Sequence, residues 1–242
     1  MPVGTYLSPK NLDSFDPKYC NQLPMVIHRT LLFDSDFPTA TQSDIASFEQ
    51  FSHDFVKVLW REPDLLDILT PSQQRLYTSY TTRIQKADLA RYCILQAWGG
   101  VYADFDVQLN RPLSELILLC DREFLAVEET SLSPQFRQHT ASYPIRQILP
   151  EEERPEATLR IANYIIASIR NSTVWEPVFE LCKQRGHLPV ECDYDVIFTT
   201  GPDIVSSAIG ALLPDDRICI LEKASTDDLL LHRAAGHWRM SS

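Results

Sequence analysis

Asp104 and Asp106 flank one phenylalanine at the end of the run Gly99-Gly100-Val101-Tyr102-Ala103-Asp104-Phe105-Asp106. Side chains alternate along a strand, so a strand through 101–105 places both carboxylates on one face and turns Phe105 into the core. Two carboxylates so placed form half of an oxygen-rich cation site. Mg2+ or Mn2+ completes such a shell with phosphate oxygens and water. An acidic chain also yields Asp-x-Asp triplets by chance, capping a strand in solvent; the preceding Gly-Gly and the buried-looking strand favour the cation site. Upstream, Asp88 and Arg91 stand three residues apart on a helical stretch, on the side away from its apolar rows. They are either a surface ion pair worth a few tenths of a kcal/mol, about 0.3, or a carboxylate and guanidinium that grip hydroxyls and phosphate charge. The residues alone leave both open.

The elements that must position these groups follow from periodicity. Leu89, Cys93 and Ala97 form one row at i, i+4, i+8, with Ala90, Ile94 and Trp98 beside it, which predicts a helix over 83–98 ended by Gly99-Gly100. Short β-branched or alternating runs predict strands at 24–30, 55–60, 124–127 and 218–221, and a helix is expected within 41–51. Further helices are expected at 113–120, at 174–185 with Pro177 in the first turn, and at 202–213 opened by Pro202. Strand, helix, strand so early predicts an α/β fold with a single, mostly parallel central sheet flanked by helices. Residues 1–22 are expected to be a surface arm, 130–157 a polar surface excursion and 229–242 a closing segment, all within one domain spanning 1–242.

The chain has 242 residues, enough for one large core, and its 44% apolar and 23% charged residues are ordinary for a globular protein. A net charge of -11 disfavours nucleic acid as a partner, because phosphate backbones need a basic surface. An acidic protein can still hold a nucleotide if a cation supplies the positive charge. The cysteines, at 20, 93, 120, 182, 192 and 219, include no C-x-x-C pair, so all are expected to be reduced. No signal-like start and no run near the roughly 20 apolar residues of a membrane span is visible, so a cytoplasmic location is expected, or a secretory lumen if an anchor has been removed.

Lys86-Ala87-Asp88-Leu89-Ala90-Arg91-Tyr92, then Gly99 to Asp106, then Arg111-Pro112-Leu113, together resemble the sugar-binding DXD region of a glycosyltransferase family. That family includes fungal initiation mannosyltransferases and inositolphosphoceramide mannosyltransferases. Val26 to Thr30 is similar to its first-strand signature, with Ile27 and His28 implied at the substrate. Ile161 to Ser168 is similar to the segment whose Asn, here Asn163, lines the sugar pocket. Thr200-Gly201-Pro202 resembles a turn opening a late helix, and His232-x-x-x-Gly236-x-Trp238 resembles the closing motif. Leu31 stands where the family usually carries an aromatic residue, and Arg233 and His237 also depart from its closing motif.

The resemblance implies a GT-A nucleotide-sugar-binding fold and retaining transfer of a hexose from GDP-mannose or a UDP-hexose to a small-molecule, lipid or protein hydroxyl. It implies Asp88 and Arg91 on the donor sugar and Asp106 on Mn2+ or Mg2+. Asp104 is implied on ribose or the metal shell, and His232 or His237 as a further ligand. Tyr102, Gly201 and Trp238 are implied contacts of the donor. Two other readings compete: a catalytically silent domain that binds a partner, and an aspartate-nucleophile phosphatase. The phosphatase motif wants Thr or Val where Gln108 stands.

Overall fold

The structure is a computed structural model that describes residues 6–33, 41–131, 133–150 and 159–233. After a 3-10 turn (Pro9–Ser14) come β1 (Tyr19–Cys20), β2 (Leu23–Pro24), β3 (Val26–Thr30), α1 (Gln42–Phe51), β4 (Val56–Trp60), α2 (Glu62–Ile68), α3 (Pro71–Ser79) and α4 (Arg83–Trp98). The middle of the chain forms β5 (Gly100–Ala103), β6 (Val107–Leu109), α5 (Leu113–Leu118), β7 (Phe124–Ser131), α6 (Pro134–Ala141), α7 (Pro144–Ile148) and β8 (Leu159–Ser168). It ends with α8 (Trp175–Arg185), α9 (Asp193–Thr199), α10 (Pro202–Gly210), β9 (Ile218–Leu221), α11 (Lys223–Thr226) and β10 (Leu230–His232).

Six strands form the central sheet in the order β4-β3-β5-β8-β7-β9, parallel throughout except for β8, which runs against both neighbours. This is the α/β architecture expected, with a mainly parallel sheet. Its strands are nearly continuous apolar runs because both faces are covered. Val26, Val58, Trp60, Tyr102 and Ile166 face α4, α8 and α10, while Ile27, Val101, Ala103, Ile165 and Ala167 face α1 and α5. Trp175 anchors the first face. It packs 5.7 Å from Tyr92 and 5.4 Å from Phe124 between ring centroids, and donates to Ser168 Oγ at 3.0 Å. Truncating such a side chain to alanine costs about 3–5 kcal/mol.

Helix α4 spans the stretch its periodicity predicts. Thr82 caps it reciprocally with Gln85, and Gly99 at φ 67° ends it. Glycine is required at Gly99 and Gly100: a Cβ would come within 2.6 Å of the Arg170 nitrogen at the first and 2.5 Å of the Val26 carbonyl at the second.

Several expectations need correction. From Tyr6 on, the expected surface arm is fastened to the sheet: the Leu7 amide donates to the Lys57 carbonyl at 2.8 Å, and Leu12 is buried. The described part of the 130–157 excursion is packed only in part, with Pro134, Gln135, Gln138 and His139 of α6 exposed. Its start continues β7 against β8, and α7 joins a third apolar cluster of Ile145 and Leu149 with Tyr194 and Phe198 of α9. The strand through Asp104 stops at Ala103, and 104–106 form a turn closed by the Val107 amide on the Asp104 carbonyl at 3.3 Å. Helices α2 and α3 lie where no periodicity was read, and Ile161 to Ser168, read only as a landmark, belongs to an inner strand. All six cysteines are free. No helix among the described residues is long and apolar enough to cross a membrane.

Candidate active site

The face of α4 that carries Asp88 and Arg91 is not a solvent face. It packs under β8 and α9, leaving the two residues only 2% and 3% exposed, which rules out the surface ion pair. Arg91 lies 3.2 Å from Asp88 Oδ1 and 3.0 Å from Asp104 Oδ2, and donates to the Asn163 carbonyl at 2.6 Å. The Asn163 amide donates to Asp88 Oδ1 at 3.0 Å, and the Thr200 hydroxyl to Asp88 Oδ2 at 2.9 Å. One guanidinium thus faces two carboxylates, and every donor around Asp88 suits its ionised form. Burial pushes the Asp88 carboxyl up to about 6, opposed by Arg91 and the Thr200 hydroxyl. Burial also works against the charge on Arg91, but Asp104, Tyr102 and Asp88 outweigh it and hold the guanidinium firmly protonated.

The turn separates the two aspartates of the triplet. Asp104 points back toward α4, its Oδ1 accepting from the Tyr102 hydroxyl at 2.7 Å and its Oδ2 from Arg91. Asp106 faces the other way, its Oδ2 3.5 Å from His232 Nε2. The expectation that both carboxylates share a face therefore fails, because the chain leaves strand geometry at Asp104. His232 reaches Asp106 because β10 pairs with β6 antiparallel, placing His232 opposite Val107. The imidazole is stacked on Tyr164 at 3.8 Å between centroids. Arg233 fastens the end of β10: its amide donates to the Asp106 carbonyl at 3.1 Å and its guanidinium to buried Asp44 of α1 at 2.6 Å.

Asp106 and His232 offer one hard oxygen and one imidazole nitrogen, a donor set that fits Mn2+ or Mg2+ when phosphates and water fill the rest of the shell. Among the described residues no group of three His, Cys, Asp or Glu side chains comes together to hold an ion. Each Asp104 oxygen already accepts one hydrogen bond, from the Tyr102 hydroxyl and from Arg91, and keeps a further lone pair.

Other expected contacts are placed elsewhere. Ile27 and His28 are wholly buried. His28 Nδ1 accepts from Trp60 at 3.1 Å, so Nε2 carries the proton and donates to the Gly99 carbonyl at 2.8 Å. Burial pulls its pKa down to about 4, making it a neutral lock between β3 and the Gly-Gly turn. Tyr102 is likewise buried, and its hydroxyl donates to Asp104 Oδ1. Gly201 is buried at the start of α10, where a Cβ would meet Ile197 Cα at 2.9 Å. Leu31 is buried and presents no ring for a base. Gly236, His237 and Trp238 lie outside the described residues.

Sequence reasoning missed Thr200 as a partner of Asp88, although its motif was noted, and missed Tyr164, one residue beyond Asn163. It also missed Arg29, 1% exposed, whose guanidinium sits 3.7 Å over the Phe48 ring and 4.7 Å from that of Phe105. Burial works against its charge, and Tyr6, Tyr102 and Asp104 around it favour the charged form. This cation between two rings ties the turn at Phe105 to α1.

Comparison with known proteins bears on the same residues. Residues 35–125 match the family model described as "Glycosyltransferase sugar-binding region containing DXD motif". Inositol phosphoceramide mannosyltransferase 3 of Schizosaccharomyces pombe (strain 972 / ATCC 24843) is 32% identical over 105 residues, 41% of this chain and 29% of the relative. Inositol phosphoceramide mannosyltransferase 1 of the same organism is 29% identical over 122 residues, 48% of this chain and 38% of the relative. The matched stretches thus span less than two fifths of these curated relatives. Among solved structures, PaToxG glycosyltransferase overlays with a TM-score of 0.47 at 13% identity, covering 85% of this chain and 74% of that one. The stretch that supplies Asp88, Arg91, Asp104 and Asp106 lies within the residues that match the model of a glycosyltransferase sugar-binding region containing the DXD motif.

Proposed function

We propose that this chain is a divalent-metal-dependent glycosyltransferase of the GT-A type that moves a hexose, with retention, from a nucleotide sugar to a hydroxyl acceptor. The observation that carries this reading is the juxtaposition of a buried, hydrogen-bonded Asp88–Arg91–Asp104 cluster with the Asp106–His232 pair on the other side of one turn. Asp88 and Arg91 bind and orient the donor sugar through its hydroxyls, with Asn163 and Thr200 fixing the Asp88 carboxylate. Asp104, held by Arg91 and Tyr102, faces the ribose side. Asp106 and His232 would hold the cation, which when bound neutralises the charge that develops on the leaving diphosphate. Arg91 adds a fixed positive charge close to the same leaving group.

Similarity to inositol phosphoceramide mannosyltransferases favours mannose as the sugar, hence GDP-mannose, with UDP-hexoses as the second donor class. A cavity lined by Glu129, Tyr164, Lys223, Leu230 and His232 adjoins the metal pair and gives a small-molecule, lipid or protein acceptor its approach. The test is to incubate the protein with GDP-mannose and UDP-hexoses in Mn2+ and follow the products. Release of nucleoside diphosphate, abolished by excess chelator, is the expected result. Inorganic phosphate would point to phosphatase chemistry, and no release from any donor would point to a silent binding domain; either overturns the reading.

A further inference from the structure

The cavity beside the Asp106–His232 pair has a volume of about 410 Å3 and lies between β7, β8, α11 and β10. Three consecutive residues of β7 line it: Val127, Glu128 and Glu129. A regular strand sends neighbours to opposite faces, but the register of β7 on β8 slips on both sides of Glu128. The slips let both glutamates border one space. Asp227, just after α11, adds a third carboxylate, and Lys223 lies 3.3 Å from it on the exposed rim.

Tyr164 forms the inner wall. It is only 6% exposed, its ring is stacked on His232, and it follows Asn163, whose amide holds Asp88. The cavity therefore touches both halves of the candidate site. The Tyr164 hydroxyl has no hydrogen-bond partner among the described residues, yet it is not sealed from water. Burial raises its pKa, and the charges of Glu129 and Asp227 add to the rise, so the group stays a neutral O–H close to those carboxylates. Ionised carboxylates only accept hydrogen bonds, whereas a hydroxyl both donates and accepts. A ligand rich in hydroxyls satisfies the glutamates and Tyr164 together. A phosphate would be repelled by the first and could use only the second.

We propose that this cavity binds the acceptor as an uncharged sugar or cyclitol ring, whose hydroxyls donate to Glu128 and Glu129 and accept from Tyr164. That the ring is the acceptor rests on the transferase reading; that it binds does not. The probes are myo-inositol and methyl α-glucoside, each set against a phosphate ester, myo-inositol 1-phosphate and glucose 6-phosphate. Binding to the whole chain is followed by saturation-transfer NMR, in chelator so that no cation at Asp106 captures the phosphate. Saturable binding of at least one ring is expected, roughly tenfold tighter than its ester. Glu129→Gln should weaken it about tenfold, and Tyr164→Phe, which keeps the stacked ring, about fivefold. Octyl α-glucoside below its micellar range separates a lipid-borne ring from a free one, the first binding tighter than the methyl glucoside. No saturable binding of either ring, an ester bound as tightly, or unchanged affinity in both variants would overturn the proposal. Nucleoside diphosphate release that the bound ring does not accelerate would overturn its role as acceptor. A ring bound as stated, in a chain that releases no nucleoside diphosphate from any donor, leaves the site standing and overturns the transferase reading instead.

Discussion

Asp88 and Arg91 sit in the middle of a sixteen-residue helix, almost wholly buried, with both oxygens of Asp88 accepting hydrogen bonds from protein donors. Asp106 and His232 hang instead on a turn and a three-residue strand, with side chains 10% and 20% exposed. The first region has its geometry before any ligand arrives, and its charges cannot be removed without leaving a partner stranded. The second has room for an ion and for substrate oxygens, and little of its packing depends on the two side chains. A site that must discriminate a sugar and also admit and release a charged diphosphate is served by this division.

Variants on either side break the comparison if it is wrong. The largest effect is expected from Arg91→Met, which leaves two buried carboxylates without their guanidinium. Denaturant unfolding should show a loss of about 3–5 kcal/mol, along with loss of transfer. A stability change under 1 kcal/mol, about the worth of an exposed pair, would mean that the buried cluster is not what it seems. Next comes Asp106→Asn, which removes a charge and almost no volume. Transfer should fall about a hundredfold or more while thermal unfolding stays within roughly 2 °C, since so little packing is lost. Unaltered turnover would dismiss the metal role. His232→Ala should weaken Mn2+ activation about tenfold, read as a rise in the Mn2+ concentration for half-maximal rate at unchanged saturating rate. Should Tyr164→Leu alone reproduce this, the stacked ring would be shown to orient the imidazole.

The smallest effect is a pH dependence of the buried half. Since Asp88 titrates at about 6 when buried, above the ordinary carboxylate range, kcat/KM should fall as pH drops below about 6. The sign for stability is opposite. A carboxyl raised in the folded state binds more protons there than in the unfolded chain, so its contribution declines as pH rises from about 4 to 6. Asp88→Asn should flatten that limb of the stability profile; an unchanged limb would assign it to another group.

Which parts of this were legible in the sequence follows from how local the information is. Helix α4 could be read because its periodicity and the Gly99-Gly100 stop that follows are local, and Asp88, Arg91, Asp104 and Asp106 because the motif is contiguous. The burial of Asp88 could not be read. Its covering groups, Asn163 and Thr200, come from 75 and 112 residues away, and no spacing within α4 distinguishes a face packed under β8 from one in water. The divergence of Asp104 from Asp106 escaped for a related reason, since a run of β-formers does not say where a strand stops. Residues 6–22 were misread because short segments with turn residues carry no period even when Leu12 is buried. Ile27 and His28 show that a family motif marks residues a site requires without saying whether they touch the ligand.

The pairing of β6 with β10 has a consequence for how the protein opens. Its three residue pairs join segments about 120 positions apart and sit outside the six-stranded sheet. Such a clasp can open locally at a fraction of the free energy needed to unfold the sheet. Amide hydrogens in 107–109 and 230–232 should therefore exchange with solvent long before those of β5 and β8. The proposed cation pair, Asp106 and His232, would then disassemble and re-form many times during one lifetime of the Asp88–Arg91–Asp104 cluster.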